Sequence, residues 1–182
     1  MDKGLIPRRY AKALYEVAGG RNADAAIYSL MQTLSASFAA EPSLATTVAN
    51  PFVGQADKKA LLTQAAGGKV AADDSTFQDF LKLLATNGRL DMARDIARAY
   101  IDLYRSANSI YRVEIESASP LSEKERSRLE AVIARHVGKG SMEYDYRINP
   151  ALIGGFTVTV NSERLDASVA NQLKQLRLQL LG

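Results

Sequence analysis

The stretch PALIGGFTVTV, at residues 150–160, decides how the second half of this chain folds. Gly154 and Gly155 stand directly before residues that alternate between apolar side chains and threonine, which is the period of a β-strand. A phosphate-binding loop needs another order: a strand, then glycines, then a helix whose free N–H groups face the anion. The glycines therefore predict a bulge, a positive φ or a close backbone approach where a strand begins, and no nucleotide site.

The residues before this stretch predict more of a small α+β domain. The segment 110–117, IYRVEIES, alternates with period two and predicts a strand, and residues 142–148 predict another. Between them, Ser122-Glu-Lys-Glu125 has the spacing of a capping box, so we expect a helix from there to about Val137. A mixed sheet with a helix packed on it fits this order of elements.

The chain after the stretch predicts a turn, a short strand and a final helix. Asn161–Arg164 fits the turn, Leu165 lies in the strand, and Asp166 is the expected N-cap of a helix that runs to Leu181. Apolar residues recur along this helix at alternating spacings of four and three, which is typical of a helix that packs on a sheet or on another helix. They are Val169, Leu173, Leu176 and Leu180.

Residues 1 to about 109 have helical patterns throughout, separated by glycine and proline. We expect an antiparallel bundle of six helices. They cover residues 7–18, 23–40, 43–49, 55–66, 74–86 and 90–106. The predicted fold class is therefore α+β and mainly α. An N-terminal six-helix bundle over residues 1–106 is followed by an α+β domain over residues 107–182, with a mixed sheet and a C-terminal helix.

The composition provides few of the side chains that usually serve in catalysis. The chain of 182 residues has no cysteine and a single histidine, His136, so a thiolate metal site, a disulfide or a cysteine nucleophile is excluded. No G-x-S-x-G elbow supports a serine nucleophile. We therefore expect no catalytic residue, no metal and no cofactor, and a function that depends on binding surfaces.

Charge and hydropathy exclude further classes of function. The net charge of +3 is spread evenly, with 13 basic and 11 acidic residues before Ser109 and 10 and 9 after it. Neither half is a basic module that holds nucleic acid by its phosphates. No run of about eighteen apolar residues predicts a membrane span, and the N-terminus lacks the apolar region of a secretory signal.

Two helices of the first half carry more apolar surface than one packed face needs. In the first helix and in the helix at 74–86, apolar residues cover roughly 200° of the circumference, whereas one packed face needs somewhat over 100°. Either both helices are central in the bundle, or one side of each forms an exposed groove for a partner's amphipathic helix. The helix at 90–106 has a similarly broad apolar arc, so the width of an arc does not by itself identify a groove.

Three stretches of this sequence resemble the delta subunit of the bacterial F-type ATP synthase, the counterpart of the mitochondrial oligomycin-sensitivity-conferring protein. They are RRYAKALYEVA at 8–18, FLKLLATNGRL at 80–90 and PALIGGFTVTVNSERLDASVANQLKQL at 150–176. Asn50-Pro51, followed by Lys58, is also similar to the family. The resemblance runs over nearly the whole chain, in the right order and spacing.

The resemblance implies a non-catalytic subunit of the peripheral stalk, the stator that stops the catalytic head from turning with the rotor. The N-terminal domain would hold N-terminal helical segments of alpha subunits, and the C-terminal domain would contact the stalk's b subunits. The implied alpha-binding groove is formed by the first helix and the helix at 80–87. Its residues are Tyr10, Ala13, Leu14, Val17, Phe80, Leu83 and Leu84.

The same resemblance implies a peripheral protein at the cytoplasmic face of the bacterial inner membrane, with no membrane insertion and no nucleic-acid partner. A small RNA-binding adaptor, with the α+β half as the reader, is the alternative from another class. It needs a basic face and exposed aromatic side chains, and the net charge of +1 in that half argues against it.

Overall fold

The computed structural model describes residues 4–161, 163–169 and 171 of the chain. The contacts between residues divide the chain into two units, residues 1–106 and 107–182. None of the helices in the described part of the chain has both the length and the apolar character needed to cross a membrane.

The first unit is built from helices. They are α1 (Leu5–Gly20), α2 (Asp24–Ala40), α3 (Pro42–Ala49), α4 (Gln55–Ala65), α5 (Lys69–Asp73), α6 (Ser75–Thr86) and α7 (Ala93–Ala107), with a 3-10 turn at Leu90–Met92. Among the described residues of this unit there are thus seven α-helices, and the expected number of six was wrong. The extra helix, α5, has five residues, which is too short to show a helical period in the sequence.

The core of the first unit is a set of large apolar side chains that are almost fully buried. They include Ile27, Met31, Leu34, Leu62, Phe77, Leu81, Leu84, Leu90 and Ile96. Tyr100 is also fully buried, and its hydroxyl donates to the carbonyl oxygen of Asp24 at 3.2 Å. Burial raises the pKa of Tyr100 above its ordinary value. Stacked rings of Tyr28 and Tyr104, with centroids 4.2 Å apart, extend this core.

The second unit is a mixed four-stranded sheet with a helix packed on it. Its elements are β1 (Ile110–Ser117), α8 (Glu123–Val137), β2 (Ser141–Ile148), β3 (Gly155–Val160) and β4 (Glu163–Ser168). The strand order is β2-β1-β3-β4, and β1 is parallel to β2 and antiparallel to β3. Val113, Ile115 and Val158 of the sheet pack with Ile133 of α8. The prediction of an α+β, mainly helical chain with a mixed sheet is confirmed.

The capping box that opens α8 is also confirmed. The backbone N–H of Ser122 donates to Oε2 of Glu125 at 2.8 Å, and the Ser122 side chain accepts from the backbone N–H of Glu125. The hydroxyl of Ser122 also donates to Oε2 of Glu125 at 2.6 Å, and this bond, together with that from the backbone N–H, holds the pKa of the exposed Glu125 carboxyl below its ordinary value. The start of α8 is therefore fixed by its own sequence.

The expected cap of the final helix was misplaced. Asp166 lies inside β4, where its Oδ1 accepts from the backbone N–H of Ser168 at 2.9 Å. Ser168 takes the capping role, because its hydroxyl accepts from the backbone N–H of Asn171 at 3.3 Å. Strand pairing extended β4 past the point where the side-chain pattern placed its end. The remainder of the predicted helix, with Leu173, Leu176 and Leu180, lies outside the described residues.

The glycine pair has the structural role that its position predicts. Gly155 begins β3 with a φ of +80°, a conformation that side chains with a Cβ avoid. A Cβ at this position would lie 2.5 Å from the carbonyl oxygen of Ala167 in β4. A positive φ and a close backbone approach therefore coincide at one residue.

Candidate partner-binding groove

A shallow apolar groove lies between α1 and α6 on the surface of the first unit. The two helices are antiparallel, because residues at the start of α1 contact the end of α6 and residues past the end of α1 contact its start. The groove has a volume of about 160 Å³. Its lining residues are Tyr10, Ala13, Leu14 and Val17 from α1 and Thr76, Asp79, Phe80 and Leu83 from α6.

Polar contacts join the two helices at both ends of the groove. At one end, Nδ2 of Asn87 donates to the hydroxyl of Tyr10 at 3.1 Å. At the other end, the guanidinium of Arg21 donates to Oδ2 of Asp79 at 3.1 Å and to the hydroxyl of Thr76 at 3.2 Å. The ion pair is solvent-exposed and contributes at most about 1 kcal/mol to stability. We therefore infer that its role is to align the two helices.

The floor of the groove belongs to the core, and its rim is exposed. Leu14 and Phe80 form the floor, with 4% and 7% of their surface exposed. Val17 and Leu83 form the rim, with 49% and 48% of their surface exposed. Ala13, about one turn before Val17 on α1, is also exposed. This rim is the apolar surface in excess of what the core needs.

Six of the seven residues expected at the groove line it, and Leu84 does not. Leu84 has 0% of its surface exposed and belongs to the core, so its assignment to the groove was wrong. Successive residues of a helix are rotated by about 100°, so when Leu83 faces the groove its neighbour Leu84 faces inward.

Sequence reasoning missed the polar residues of the groove. Thr76 and Asp79 precede Phe80 and Leu83 at the spacing i, i+3, i+4 and i+7, which places all four on one face of α6. That period was a usable signal, but Thr76 and Asp79 are not apolar and were left out. Arg21 lies past the end of α1, where no periodic pattern points to it.

The lining of the groove can bind a partner, but its side chains are not arranged for catalysis. Its lining holds a single carboxylate, and that carboxylate is paired with Arg21. Across the residues that the structure describes, no three His, Cys, Asp or Glu side chains form a group that could hold a metal ion. His136 is exposed in the last turn of α8. An apolar strip between two helices, bounded by polar residues, matches the apolar face of a helix.

The second unit has an apolar cavity of its own, formed by α8, β3 and β4. Its volume is about 750 Å³. Val132 and Leu165 on its wall are 62% and 64% exposed, and Val158 and Val160 of β3 line it from the sheet. This exposed apolar cavity is a candidate binding surface for a second partner.

Comparison with known proteins identifies the family. The family model described as ATP synthase delta (OSCP) subunit matches residues 6–180. The ATP synthase subunit delta of Parabacteroides distasonis is 35% identical over 181 residues, which cover 100% of this chain and 98% of the relative. That of Bacteroides thetaiotaomicron is also 35% identical, over 100% of this chain and 96% of the relative.

A solved structure shows the same fold. One chain in a cryo-EM structure of the Toxoplasma gondii mitochondrial ATP synthase hexamer matches this chain with a TM-score of 0.69. The match covers 97% of both chains at 24% sequence identity.

Proposed function

Because the chain belongs to the ATP synthase delta (OSCP) subunit family, we propose that its two units hold two different parts of that complex together. As a member of the family it is a non-catalytic, structural subunit of the peripheral stalk. It links the alpha/beta catalytic head to the membrane-anchored b subunits, so that proton flow is coupled to ATP synthesis. Nothing in these similarities supports an RNA-binding adaptor.

The first unit binds the head by accepting an N-terminal helical segment of an alpha subunit in the groove between α1 and α6. The single observation that carries this proposal is the exposed apolar rim of Ala13, Val17 and Leu83 above an apolar floor. Covering the half-exposed Val17 and Leu83 would contribute about 1 kcal/mol each. The polar residues at both ends of the groove would fix the register of the bound helix.

The second unit, residues 107–182, contacts the b subunits. Its apolar cavity supports this assignment, because Val132 and Leu165 expose well over half of their apolar side chains there, and exposed apolar surface of this kind marks binding sites. We place the chain at the cytoplasmic face of the bacterial inner membrane, as a peripheral part of the complex. The bacterial ATP synthase subunits among its relatives support this location.

The test of the groove is the substitution Ala13→Arg, measured by titration calorimetry with a synthetic peptide of the alpha-subunit N-terminus. Ala13 is exposed, so the arginine side chain reaches water in the free protein and folding should survive. In the complex, its charge would be trapped against apolar surface. This would cost on the order of several kcal/mol and abolish tight binding.

The matched control is Ala26→Arg, which adds the same side chain at an exposed position of α2 outside the groove lining. We expect both variants to melt like the parent and only Ala13→Arg to lose the peptide. Unchanged binding by Ala13→Arg with an intact melt would remove this groove from the proposal. Equal loss in both variants would show that added positive charge, and not the groove, is responsible.

A further inference from the structure

Lys58 is a largely buried lysine whose ammonium group forms no ion pair with any of the described residues. It lies in the first turns of α4 and has only 7% of its surface exposed. Within the described residues, its ammonium group has neither a hydrogen bond nor an ion pair. Buried lysines are ordinarily paired, because removing a charge from water is costly without a partner. The ammonium group itself is not sealed from water, so it can receive an anionic partner from outside the chain.

Lys58 lines a cavity of about 330 Å³ where three connections of the first unit meet. The walls come from the end of α3, the start of α4 and the link between α6 and α7. They are formed by Ala49, Pro51, Gln55, Gly88, Leu90 and Asp91. Among the described residues of the lining, Lys58 is the one cation.

The start of α4 adds to the positive potential in this cavity, although the carboxylate of Asp57 in the first turn offsets part of it. Gln55 is the first residue of α4, so the positive end of the helix dipole lies at the cavity wall. No side chain caps this end, because Gly54 occupies the N-cap position. The amide of Gln55 is without a side-chain hydrogen bond in the described part of the chain, and it can donate to an anion.

Asp91 limits which anion fits. Its carboxylate lines the same cavity, but it is exposed and makes no ion pair with Lys58. The exposed carboxylate of Asp91 keeps contact with water and offsets only part of the Lys58 charge. It lowers the positive potential of the cavity, and a dianion must also give up more hydration than a single carboxylate to enter it.

We propose that this cavity is a binding site for one carboxylate, paired with the ammonium of Lys58 and hydrogen-bonded by the amide of Gln55. Gly88 of the cavity wall directly follows Asn87, which bonds to Tyr10 at the end of the α1/α6 groove. Resting on the proposed function, the carboxylate is an acidic side chain of the segment that occupies the groove. The other source of the same chemistry is a free monocarboxylate.

The test is a titration of the full chain, labelled with ¹⁵N-lysine, with sodium acetate against sodium chloride at matched ionic strength. We expect the Lys58 ammonium signal to shift saturably with acetate, whereas that of Lys59, its more exposed neighbour on α4, does not. Phosphate should shift it less than acetate. Asp91→Asn should tighten acetate binding about threefold, the size of a like-charge interaction across a hydrated pocket.

Two results would overturn the site: no saturable shift at Lys58, or equal shifts at Lys58 and Lys59. A larger response to phosphate than to acetate would overturn the assignment to one carboxylate. Lys58→Met provides a second measurement, because it removes the charge and keeps the apolar stem. This variant should lose the acetate-dependent rise in Tm that the parent and Lys59→Met show, and a retained rise would also overturn the site.

Binding to the alpha-subunit peptide then separates the two sources. Weaker peptide binding by Lys58→Met, with Lys59→Met unchanged, assigns the carboxylate to the partner segment. Unchanged binding, with the acetate response intact in the parent, assigns it to a free monocarboxylate. These outcomes are distinct from failure of the groove itself, which Ala13→Arg reports, because the acetate titration needs no partner subunit.

Discussion

Replacing Gly155 with alanine should destabilise the second unit strongly, although it adds a single methyl group. Gly155 has a φ of +80°, and its position leaves no room on the side facing β4. An added Cβ would lie 2.5 Å from the Ala167 carbonyl oxygen and 3.0 Å from the Cα of Ser168. Both of these atoms are backbone, so no side chain can rotate away to make room.

The expected cost has two parts. Holding alanine at this positive φ costs about 1–3 kcal/mol. Separating the backbones of β3 and β4 enough to admit the methyl group costs about another 1–3 kcal/mol, as overpacking does elsewhere. The sum of about 2–6 kcal/mol is a large part of the 5–15 kcal/mol that ordinarily stabilises a folded domain.

Gly138→Ala is the control that separates the two parts. Gly138 follows α8 in the same unit with a φ of +83°, but a Cβ there would meet nothing within 4 Å. Native-state hydrogen exchange read by mass spectrometry reports residues 1–106 and 107–161 separately, so the loss can be assigned to its unit. We expect both variants to weaken the second unit only, and Gly155→Ala to weaken it more.

The close-approach argument fails if Gly155→Ala costs no more than Gly138→Ala. If Gly155→Ala is within about 0.5 kcal/mol of the parent, the strain argument fails as well, because that change is the size of an ordinary surface substitution.

Three further predictions concern the other elements. Hydrogen bonds from Ser122 lower the pKa of Glu125, so the capping box adds stability that is fully present above the ordinary pKa of 4.5. This stability is lost as the pH falls through the lower pKa of the folded state. Glu125→Gln should therefore flatten this part of the pH profile of Tm. Leu84→Ala should cost about 2–5 kcal/mol in urea denaturation as a core cavity, whereas Leu83→Ala should cost about 1 kcal/mol or less and instead weaken binding of the alpha-subunit peptide. A fragment of residues 1–106 should be strongly helical by circular dichroism and melt cooperatively, and a broad melt would count against its independence.

The groove shows what the helical periodicity of a sequence can and cannot predict. The family resemblance supplied seven groove residues, and six of them line the groove. The over-wide apolar arcs indicated the same two helices, α1 and α6. They did not separate Leu83 from Leu84, because both leucines fall inside the same arc. The exposed position of one and the buried position of the other follow from the angle at which α6 packs on its neighbours, which a one-dimensional pattern does not contain.

The local features were determined by the sequence itself. The capping box at Ser122 depends on residues that are adjacent in the chain, so its physics is complete within a short segment. The glycine pair predicted a bulge, a positive φ or a close backbone approach, and the last two occur at Gly155. Likewise, the change from a helical period to a period of two near Ile110 determined that a sheet follows a set of helices.

Tertiary structure decided everything that depends on distant segments. The strand order β2-β1-β3-β4 and the extension of β4 past Asp166 follow from strand pairing, in which hydrogen bonds form between segments far apart in sequence. The burial of Lys58 is of the same kind. A lysine in the first turns of a helix is ordinarily solvated, and only the convergence of α3, α4 and the link before α7 encloses this one. A sequence specifies its short-range contacts directly, whereas enclosure exists only once the chain has folded around the residue.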